Sequence, residues 1–313
     1  MVSLPPSRWA DLDGPVHYVD FGGPDDGPLL VCVHGLGGSH ANWLAIAPQL
    51  AQTCRVLALD LAGFGLTRGG ARRTTVEANT ELLHRFVSEV TGAPVILVGN
   101  SMGGAISALA TATYPEDVAG AVLIDPALPV YLTSRADPGV AALFAAYFAP
   151  GMGSLLMRGR RRVRTAEEMA METLRLCCVD PSRVPRDVVQ AHLELARRRQ
   201  AYTEMDAEFV AATRSLLTLL GRRRQFQRML AGIRQPVLLL QGDRDRLVSV
   251  GTARRVARLN PRWRYEEAHD VGHVPMLETP EWTLRAITDW MAREGASAVE
   301  QAGAASRPQP SHF

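Results

Sequence analysis

The sequence predicts an α/β fold in which a doubly wound, mostly parallel sheet carries an inserted helical cap. Apolar runs such as VILVG and VLLLQG are continuous, which is typical of strands buried on both faces of a parallel sheet. Helix-like stretches separate successive runs, as in repeated βαβ units. The alternation is interrupted once, between 128 and 234, where only amphipathic helical patterns occur.

The elements follow from the same patterns in chain order. Strands are predicted at 16–21, 29–34, 56–61, 95–99, 121–125, 237–241 and 264–268. Helices are predicted near 41–51, 76–91, 101–113, 250–259 and 280–292. Asp125-Pro126 and Gln235-Pro236 border the insertion, because proline disfavours the continuation of a helix. We therefore expect a core of 1–127 and 235–294, a cap of 128–234, and a small, polar tail at 295–313 that is disordered.

The basic residues exclude several classes of enzyme. The chain of 313 residues has 34 basic side chains, and all of them are Arg. A P-loop, a pyridoxal Schiff base and a protein kinase each need a Lys, so none of these sites can be built. The net charge of +2 hides an uneven distribution, since 150–235 carries 17 Arg against nine Asp and Glu.

The four cysteines, at 32, 54, 177 and 178, are too few and too irregular for a disulfide scaffold. No C-x-x-C pair is present to hold zinc. We expect reduced thiols. The N-terminus MVSLPPSRWADLDG lacks the pattern of a secretory signal, which leads us to expect a cytoplasmic protein.

A nucleophile is predicted at Ser101 within the G-x-S-x-G motif of Gly99 to Gly103. A strand pattern precedes the motif and a helix pattern follows it, as a strand–turn–helix nucleophile requires. The turn is sharp, so the positions two before and two after the serine must be small for strand and helix to approach.

A serine hydroxyl needs a base, and His273 is the candidate, because it lies in a loop between the last predicted strand and the last predicted helix. His269 lies four residues earlier, as in a helical metal pair, but Gly272 and Pro275 disfavour that helix. We therefore predict no metal site.

The base in turn needs a carboxylate that holds its tautomer. Asp245, which follows the strand at 237–241, is preferred over Asp243. Asp125 is a competitor, since it ends the strand before. The chain order Ser101, Asp245, His273 is that of α/β hydrolases.

The segment HGLGG at 34–38 resembles a turn that supplies a hydrogen-bond donor to an oxyanion. The expected donors are the backbone N–H groups of Leu36 and Met102, whereas His34 is expected to anchor the loop. The G-x-G pieces at 35–37 and 63–65 do not complete a dinucleotide-binding motif, so no cofactor is predicted.

Together these motifs resemble those of the α/β-hydrolase family with a helical cap, over about residues 15–293. The matching pieces are HGLGG, DLAGFG at 60–65, VGNSMGG at 98–104, GDRD at 242–245 and GHVPMLETP at 272–280. Ser at 101 disfavours the branches with an Asp nucleophile. The resemblance implies an esterase or lipase that acts through an acyl-enzyme.

Two alternatives remain open. GNSMGG is also similar to the meta-cleavage product hydrolases, which break a carbon–carbon bond, although Val274 stands where those enzymes usually have Trp. A member of the family that binds a small apolar ligand without turnover is the other alternative.

The cap contains an uncharged stretch at 138–157, followed directly by RGRRRVR. Pro150, Gly151 and Gly153 disfavour a membrane span. The stretch is predicted either to form cap helices over the active site or to act as a lid that contacts lipid. Both predict a pocket for a small apolar ester, with candidate lining residues Trp43, Phe144, Phe148 and Met152 beside Leu36 and Met102. The Arg clusters of the cap are predicted first to be solvated helix faces, and a contact with anionic lipid is the less favoured alternative. No nucleic-acid partner is predicted.

Overall fold

The computed structural model describes residues 5–129, 137–202 and 204–295. Its centre is an eight-stranded sheet with the order β1-β2-β4-β3-β5-β6-β7-β8. The strands are β1 Ser7–Asp11, β2 Pro15–Gly22, β3 Leu29–Val33, β4 Arg55–Leu59, β5 Val95–Asn100, β6 Val118–Ile124, β7 Val237–Gly242 and β8 Arg264–Ala268. β2 pairs antiparallel with β1 and β4, and all other pairs are parallel.

All seven predicted strands are confirmed, and β1 is an addition. Its sequence SRWAD is short, and four of its five residues are exposed, so it has no apolar pattern to reveal it. Pairing with β2 holds it at the edge of the sheet.

The helices are distributed around this sheet. In chain order they are α1 Ala47–Leu50, α2 Val76–Phe86, α3 Met102–Thr113, α4 Pro138–Phe148, α5 Met152–Val163, α6 Ala166–Cys177, α7 Arg186–Arg199, α8 Met205–Gly221, α9 Arg223–Gly232, α10 Val250–Leu259, α11 Pro275–Glu278 and α12 Pro280–Trp290. Short 3₁₀ segments occupy His40–Trp43 and Pro181–Arg183, and π turns extend α2 and α12 over Val87–Thr91 and Met291–Gly295.

Each face of the sheet has its own core. In β3, Val31 and Val33 join the cluster with residues of α2, α3, α9 and α10. Leu30 and Cys32 point the other way, into the cluster with α1, α11 and α12. Because successive side chains of a strand alternate between faces, continuous apolar strands fill both cores. The predicted doubly wound sheet is confirmed.

The helix predicted at 41–51 is wrong in detail, since a 3₁₀ segment and the single turn α1 replace it. Ser39 caps the 3₁₀ segment by accepting from the N–H of Ala41, and Asn42 accepts from the N–H of Ser39. Pro48 lies in the first turn of α1 and has no N–H to continue a longer helix. The result is a rigid loop next to β3.

The segment between β6 and β7 holds the six helices α4 to α9 and, in its described residues, no strand. No single helix in the described part of the chain is long and apolar enough to cross a membrane. α4 and α5 reach that length and composition only when joined, and they are bent by 111°. The tail predicted at 295–313 lies, apart from Gly295, outside the described residues.

Candidate active site

Ser101 lies in the sharp turn between β5 and α3. Its backbone has φ +56° and ψ −119°, a conformation that costs a residue with a Cβ about 1–3 kcal/mol. Its N–H donates to the carbonyl of Ile124 (3.1 Å), and its carbonyl accepts from Ala127 (2.9 Å). These bonds to the end of β6 hold the strained turn in place.

The glycines of the motif are needed for close packing. A Cβ on Gly99 would lie 2.5 Å from the carbonyl oxygen of Gly103, and one on Gly103 would lie 2.1 Å from that of Val33. A Cβ on Gly35 would lie 2.9 Å from the Cβ of Ser101. The absence of side chains at these positions therefore lets α3, β3 and the nucleophile turn meet.

His273 and Asp245 form a buried pair at the same edge of the sheet. Nδ1 of His273 lies 2.7 Å from Oδ2 of Asp245, and both side chains are almost completely buried. The other oxygen of Asp245 accepts from the N–H groups of Leu247 (2.7 Å) and Val248 (3.0 Å). The carboxylate is thus held by its own loop, with one oxygen directed to the imidazole.

The loop of His273 is tied to the nucleophile turn by Asn100. Its Nδ2 donates to the carbonyl of His273 (3.1 Å) and to that of Ile124 (3.0 Å). Asn100 is adjacent to Ser101, so the two candidate catalytic residues share one anchor. The sequence pattern does not reveal this role, although Asn100 lies within the motif.

Cap and core residues hold the other side of the same loop. The N–H of His273 donates to the carbonyl of Cys177 at the end of α6 (2.6 Å). The buried Glu278 accepts from Gly272 (2.8 Å) and from Asp180 beyond α6 (2.8 Å). These contacts, which the sequence did not reveal, couple the position of His273 to the cap.

Asp125 lies beside the pair without contacting the imidazole by a hydrogen bond. Its Oδ1 accepts from Nε2 of Gln241 (2.7 Å) and from the N–H of Gly242 (2.9 Å). Burial, and then the charge of Asp245, raise the pKa of Asp125 well above its ordinary value. Asp245, and not Asp125, is therefore the carboxylate that faces the histidine.

Asp243 and His269, which the sequence offered as alternatives in the acid and metal roles, bind each other. Asp243 accepts from Nδ1 of His269 (2.8 Å), and His269 is 91 % exposed. The two histidines four residues apart therefore pair with different carboxylates. Asp125, Asp245 and His273 also form a cluster whose nitrogen and oxygen atoms lie within 4.8 Å of one another, as the ligands of a metal ion would. Oδ1 of Asp125, Oδ2 of Asp245 and Nδ1 of His273 take part in the hydrogen bonds described above.

The turn at 34–38 presents one of the two predicted oxyanion donors. Within the described chain, the N–H groups of Leu36 and Met102 donate no hydrogen bond. For Met102 this follows from its place at the start of α3, where helical N–H groups have no internal partner. Both groups are thus free to bind an oxygen atom.

His34 serves as an anchor of this turn. One ring nitrogen, Nδ1, donates to the carbonyl of Gly35 (2.8 Å), and Nε2 accepts from the N–H of Leu61 (3.1 Å). Burial lowers the pKa of His34 to about 4, so the ring stays neutral. With both nitrogens occupied, it has no lone pair to offer as a base.

Asp60 is the centre of a buried cluster under the same turn. Its Oδ2 lies 2.7 Å from Nδ1 of His17 and 2.9 Å from Nδ1 of His40, and its carboxylate also accepts from the backbone of His40 and Leu66. These three side chains have the donor set of a metal site, with their atoms within 4.8 Å. In this structure the atoms bind one another, and the cluster braces the turn.

The predicted pocket residues occupy different environments. Trp43 is completely buried in the core that holds α12. Phe144 is half-buried on α4, whereas Phe148 and Met152, at the bend between α4 and α5, are 52 % and 44 % exposed. Their role in lining a substrate pocket stays a prediction.

A model of the α/β hydrolase fold family matches residues 28–280. The chain belongs to this family. The resemblance noted in the sequence is therefore confirmed, and the strained serine, the buried His–Asp pair and the free N–H groups lie where α/β hydrolases with this chain order carry their site.

Similar α/β hydrolases include named lipases. Monoacylglycerol lipase ABHD6 of Homo sapiens is 24% identical over 288 residues, which covers 88% of this chain and 81% of that protein. Lipase 1 of Psychrobacter immobilis is 27% identical over 268 residues, which covers 85% of this chain and 77% of that protein. Among solved structures, a membrane phospholipase A described as a bacterial virulence factor is 28% identical with a TM-score of 0.71 over 92% of this chain and 86% of that one.

Proposed function

We propose that this α/β hydrolase cleaves carboxylic esters with an apolar acyl chain through an acyl-enzyme on Ser101. His273 takes the proton of Ser101 Oγ as the oxygen attacks the ester carbonyl, and Asp245 stabilises the resulting imidazolium. The N–H groups of Leu36 and Met102 bind the oxyanion. The alcohol leaves with the proton from His273, and water then releases the acid by the same steps in reverse. No cofactor is required.

The His273–Asp245 contact of 2.7 Å carries this proposal, because Asn100 ties the same histidine loop to the residue before Ser101. A buried carboxylate that fixes a histidine beside a strained serine is the arrangement that activates a hydroxyl group. The similarity to lipases supports an ester with an apolar chain as the substrate.

The decisive test combines labelling and turnover. We expect a fluorophosphonate probe to label the wild-type protein but not Ser101→Ala, and p-nitrophenyl esters to be hydrolysed only by the former. Labelling of the Ser101→Ala variant would contradict the assignment of the nucleophile. Wild-type protein that is neither labelled nor active would favour a ligand-binding role. Hydrolysis of a dienoate in preference to every ester would favour the carbon–carbon hydrolase instead.

We also propose that the cap meets anionic lipid through the outer face of α5. Met152 and Leu155 are 44 % and 58 % exposed, and Arg158 and Arg162 continue the same side of the helix toward its C-terminal end. An exposed apolar group next to exposed basic groups fits the boundary between acyl chains and acidic headgroups. The location we infer is cytoplasmic, because all four cysteines are unpaired thiols.

Vesicle flotation tests the lipid contact. We expect the protein to float with phosphatidylglycerol vesicles at low salt and Leu155→Asp to remain in the bottom fraction. Leu259→Asp is the matched control, because Leu259 is a leucine with 44 % exposure that lies outside the cap, at the end of α10. Equal flotation of the two variants, or no flotation of the wild-type protein, would contradict the proposal.

A further inference from the structure

A cationic side chain of the cap lies against the oxyanion turn. Arg199, the last residue of α7, directs its Nη1 to the carbonyl of Gly37 at 3.5 Å, the outer limit of a hydrogen bond. α7 packs on the 3₁₀ segment His40–Trp43, which follows that turn. The inward positions of α7 recur at helical spacing and are Val188, His192, Leu195 and Arg199.

The guanidinium of the partly buried Arg199 has one donor that lacks a partner. Its Nε is buried and has no hydrogen-bond partner in the described part of the chain. Neighbouring arginines of the cap differ in this respect, since Arg197 pairs with Glu167 and Arg161 pairs with Asp206. A guanidinium carries five N–H donors and a permanent charge, and burying it is costly unless acceptors surround it.

The acidic groups near Arg199 make no hydrogen bond or ion pair with it in the described residues. Asp60 accepts from His17 and His40. Oε1 of Glu208 accepts from the N–H of Gly69 (2.9 Å), whereas its Oε2 is buried without a hydrogen-bond partner among the described residues. Within the described chain, the hydrogen bond of the Arg199 guanidinium is thus the contact with the carbonyl of Gly37 in the turn at 34–38.

The position of this charge links it to the reaction. Gly37 is the neighbour of Leu36, whose N–H is a proposed oxyanion donor, and Gly35 of the same turn contacts Ser101. Arg199 thus contacts the same turn that packs against Ser101 and carries the N–H of Leu36.

We propose that Arg199 binds an anionic oxygen group of the ester substrate, a carboxylate or a phosphate, and so makes the enzyme selective for acidic esters. This proposal rests on the proposed function. The planar fork of a guanidinium matches both oxyanions with two parallel hydrogen bonds, which an ammonium group cannot do. The group can come from either end of the substrate, on the alcohol or at the far end of the acyl chain.

Two matched substrate pairs test the proposal and distinguish these sources. One pair is monododecanoylglycerol and its phosphate, and the other is p-nitrophenyl hexanoate and p-nitrophenyl hydrogen adipate. In at least one pair we expect Arg199→Gln to lower kcat/KM for the acidic ester relative to the neutral ester by about 10-fold or more, mainly through KM. Arg199→Lys should retain part of the preference, because it keeps the charge without the fork.

Arg198→Gln is the control, since Arg198 is the exposed neighbour of Arg199 at the end of α7. We expect its ratio of acidic to neutral activity to equal that of the wild-type enzyme. Equal losses for both members of each pair in Arg199→Gln would show a structural contact with the turn and overturn the proposal. An unchanged ratio in both pairs would overturn it as well.

A binding measurement separates this proposal from the proposed function. In the Ser101→Ala background, octyl phosphate or octanoate should bind more tightly than octanol, and Arg199→Gln should weaken the binding of at least one anion by about 10-fold. If anion binding depends on Arg199 but the wild-type protein has no esterase activity, the anion site is supported and the proposed function is refuted. Affinities that are equal with and without Arg199 would overturn the anion site alone.

Discussion

Asp125 and Asp245 accept hydrogen bonds from the same nitrogen, Nε2 of Gln241, at 2.7 and 3.1 Å. Two carboxylates at such a distance do not both ionise readily, because each charge opposes the other. Asp245 contacts His273, whereas Asp125 makes no hydrogen bond to the imidazole in the described structure. The hydrogen bonds therefore indicate Asp245 as the carboxylate that orients His273.

Substitution of the two acids should give opposite results. Asp125→Asn keeps the shape of the side chain and an oxygen that can accept from Gln241 and Gly242, so we expect kcat within a few fold of the wild-type value. Asp245→Asn removes the charge that orients His273, and we expect kcat to fall by about 10³–10⁴-fold. Steady-state kinetics on one ester checks both, and the reverse order of effects would assign the catalytic acid to Asp125.

Removal of the shared anchor should slow the reaction without preventing folding. Asn100→Ala deletes the hydrogen bonds to the carbonyls of His273 and Ile124. A small displacement of the base costs up to about 100-fold in rate, so we expect a lower kcat with little change in KM. Asn260→Ala is the control, because Asn260 also donates from a buried amide but lies at the end of α10. A similar loss of kcat in both variants would contradict a positioning role.

Two glycine substitutions should shift stability in opposite directions. A Cβ at Gly103 overlaps the carbonyl oxygens of Val33 (2.1 Å) and His34 (2.4 Å), so Gly103→Ala should destabilise the protein by about 3 kcal/mol or more. Gly159 lies in α5 with no atom within 4 Å of an added Cβ, and Gly159→Ala should stabilise by about 0.5–1 kcal/mol. Thermal unfolding measures both. A Gly103→Ala protein as stable as the wild type would contradict the packing described here.

Stability should fall in mild acid because of His192. Burial lowers the pKa of His192 from 6.5 to about 4, so the unfolded chain binds a proton in this interval that the folded chain does not. The folded state is therefore favoured above pH 6.5 and loses stability as the pH falls toward 4, by at most about 3 kcal/mol from this residue. Denaturant unfolding at several pH values measures the loss. In His192→Leu the dependence should be shallower, and an unchanged slope would contradict the assignment.

The sheet was predictable because its strands are buried on both faces, and the required apolar runs are visible without any tertiary information. β1 was not predictable, since SRWAD is mostly exposed and owes its conformation to pairing with β2. The replacement of the predicted helix at 41–51 by a 3₁₀ segment and a single turn was not predictable for a related reason. The 3₁₀ segment depends on the Ser39 cap and on packing against α7, and a count of apolar positions detects neither.

The candidate site was predictable where a residue type is tied to a local pattern. Ser101 requires small neighbours in a turn, and these glycines are adjacent in sequence. The supporting residues are different, since Asn100 acts on His273, 173 residues away, and Glu278 connects Gly272 to Asp180. Their roles depend on distances between segments that only folding brings together.

The chain of amino acids by itself determined the lack of any lysine chemistry, the strand–turn–helix at Ser101, the order of the candidate triad and the excess of arginine between β6 and β7. Each of these is a matter of residue type and local spacing. The tertiary structure decided which aspartate faces His273, and it places Arg199 against the turn at 34–38 with no acidic partner among the described residues. Hydrogen-bond reach and burial make that choice, and both are properties of groups that meet in space rather than in sequence.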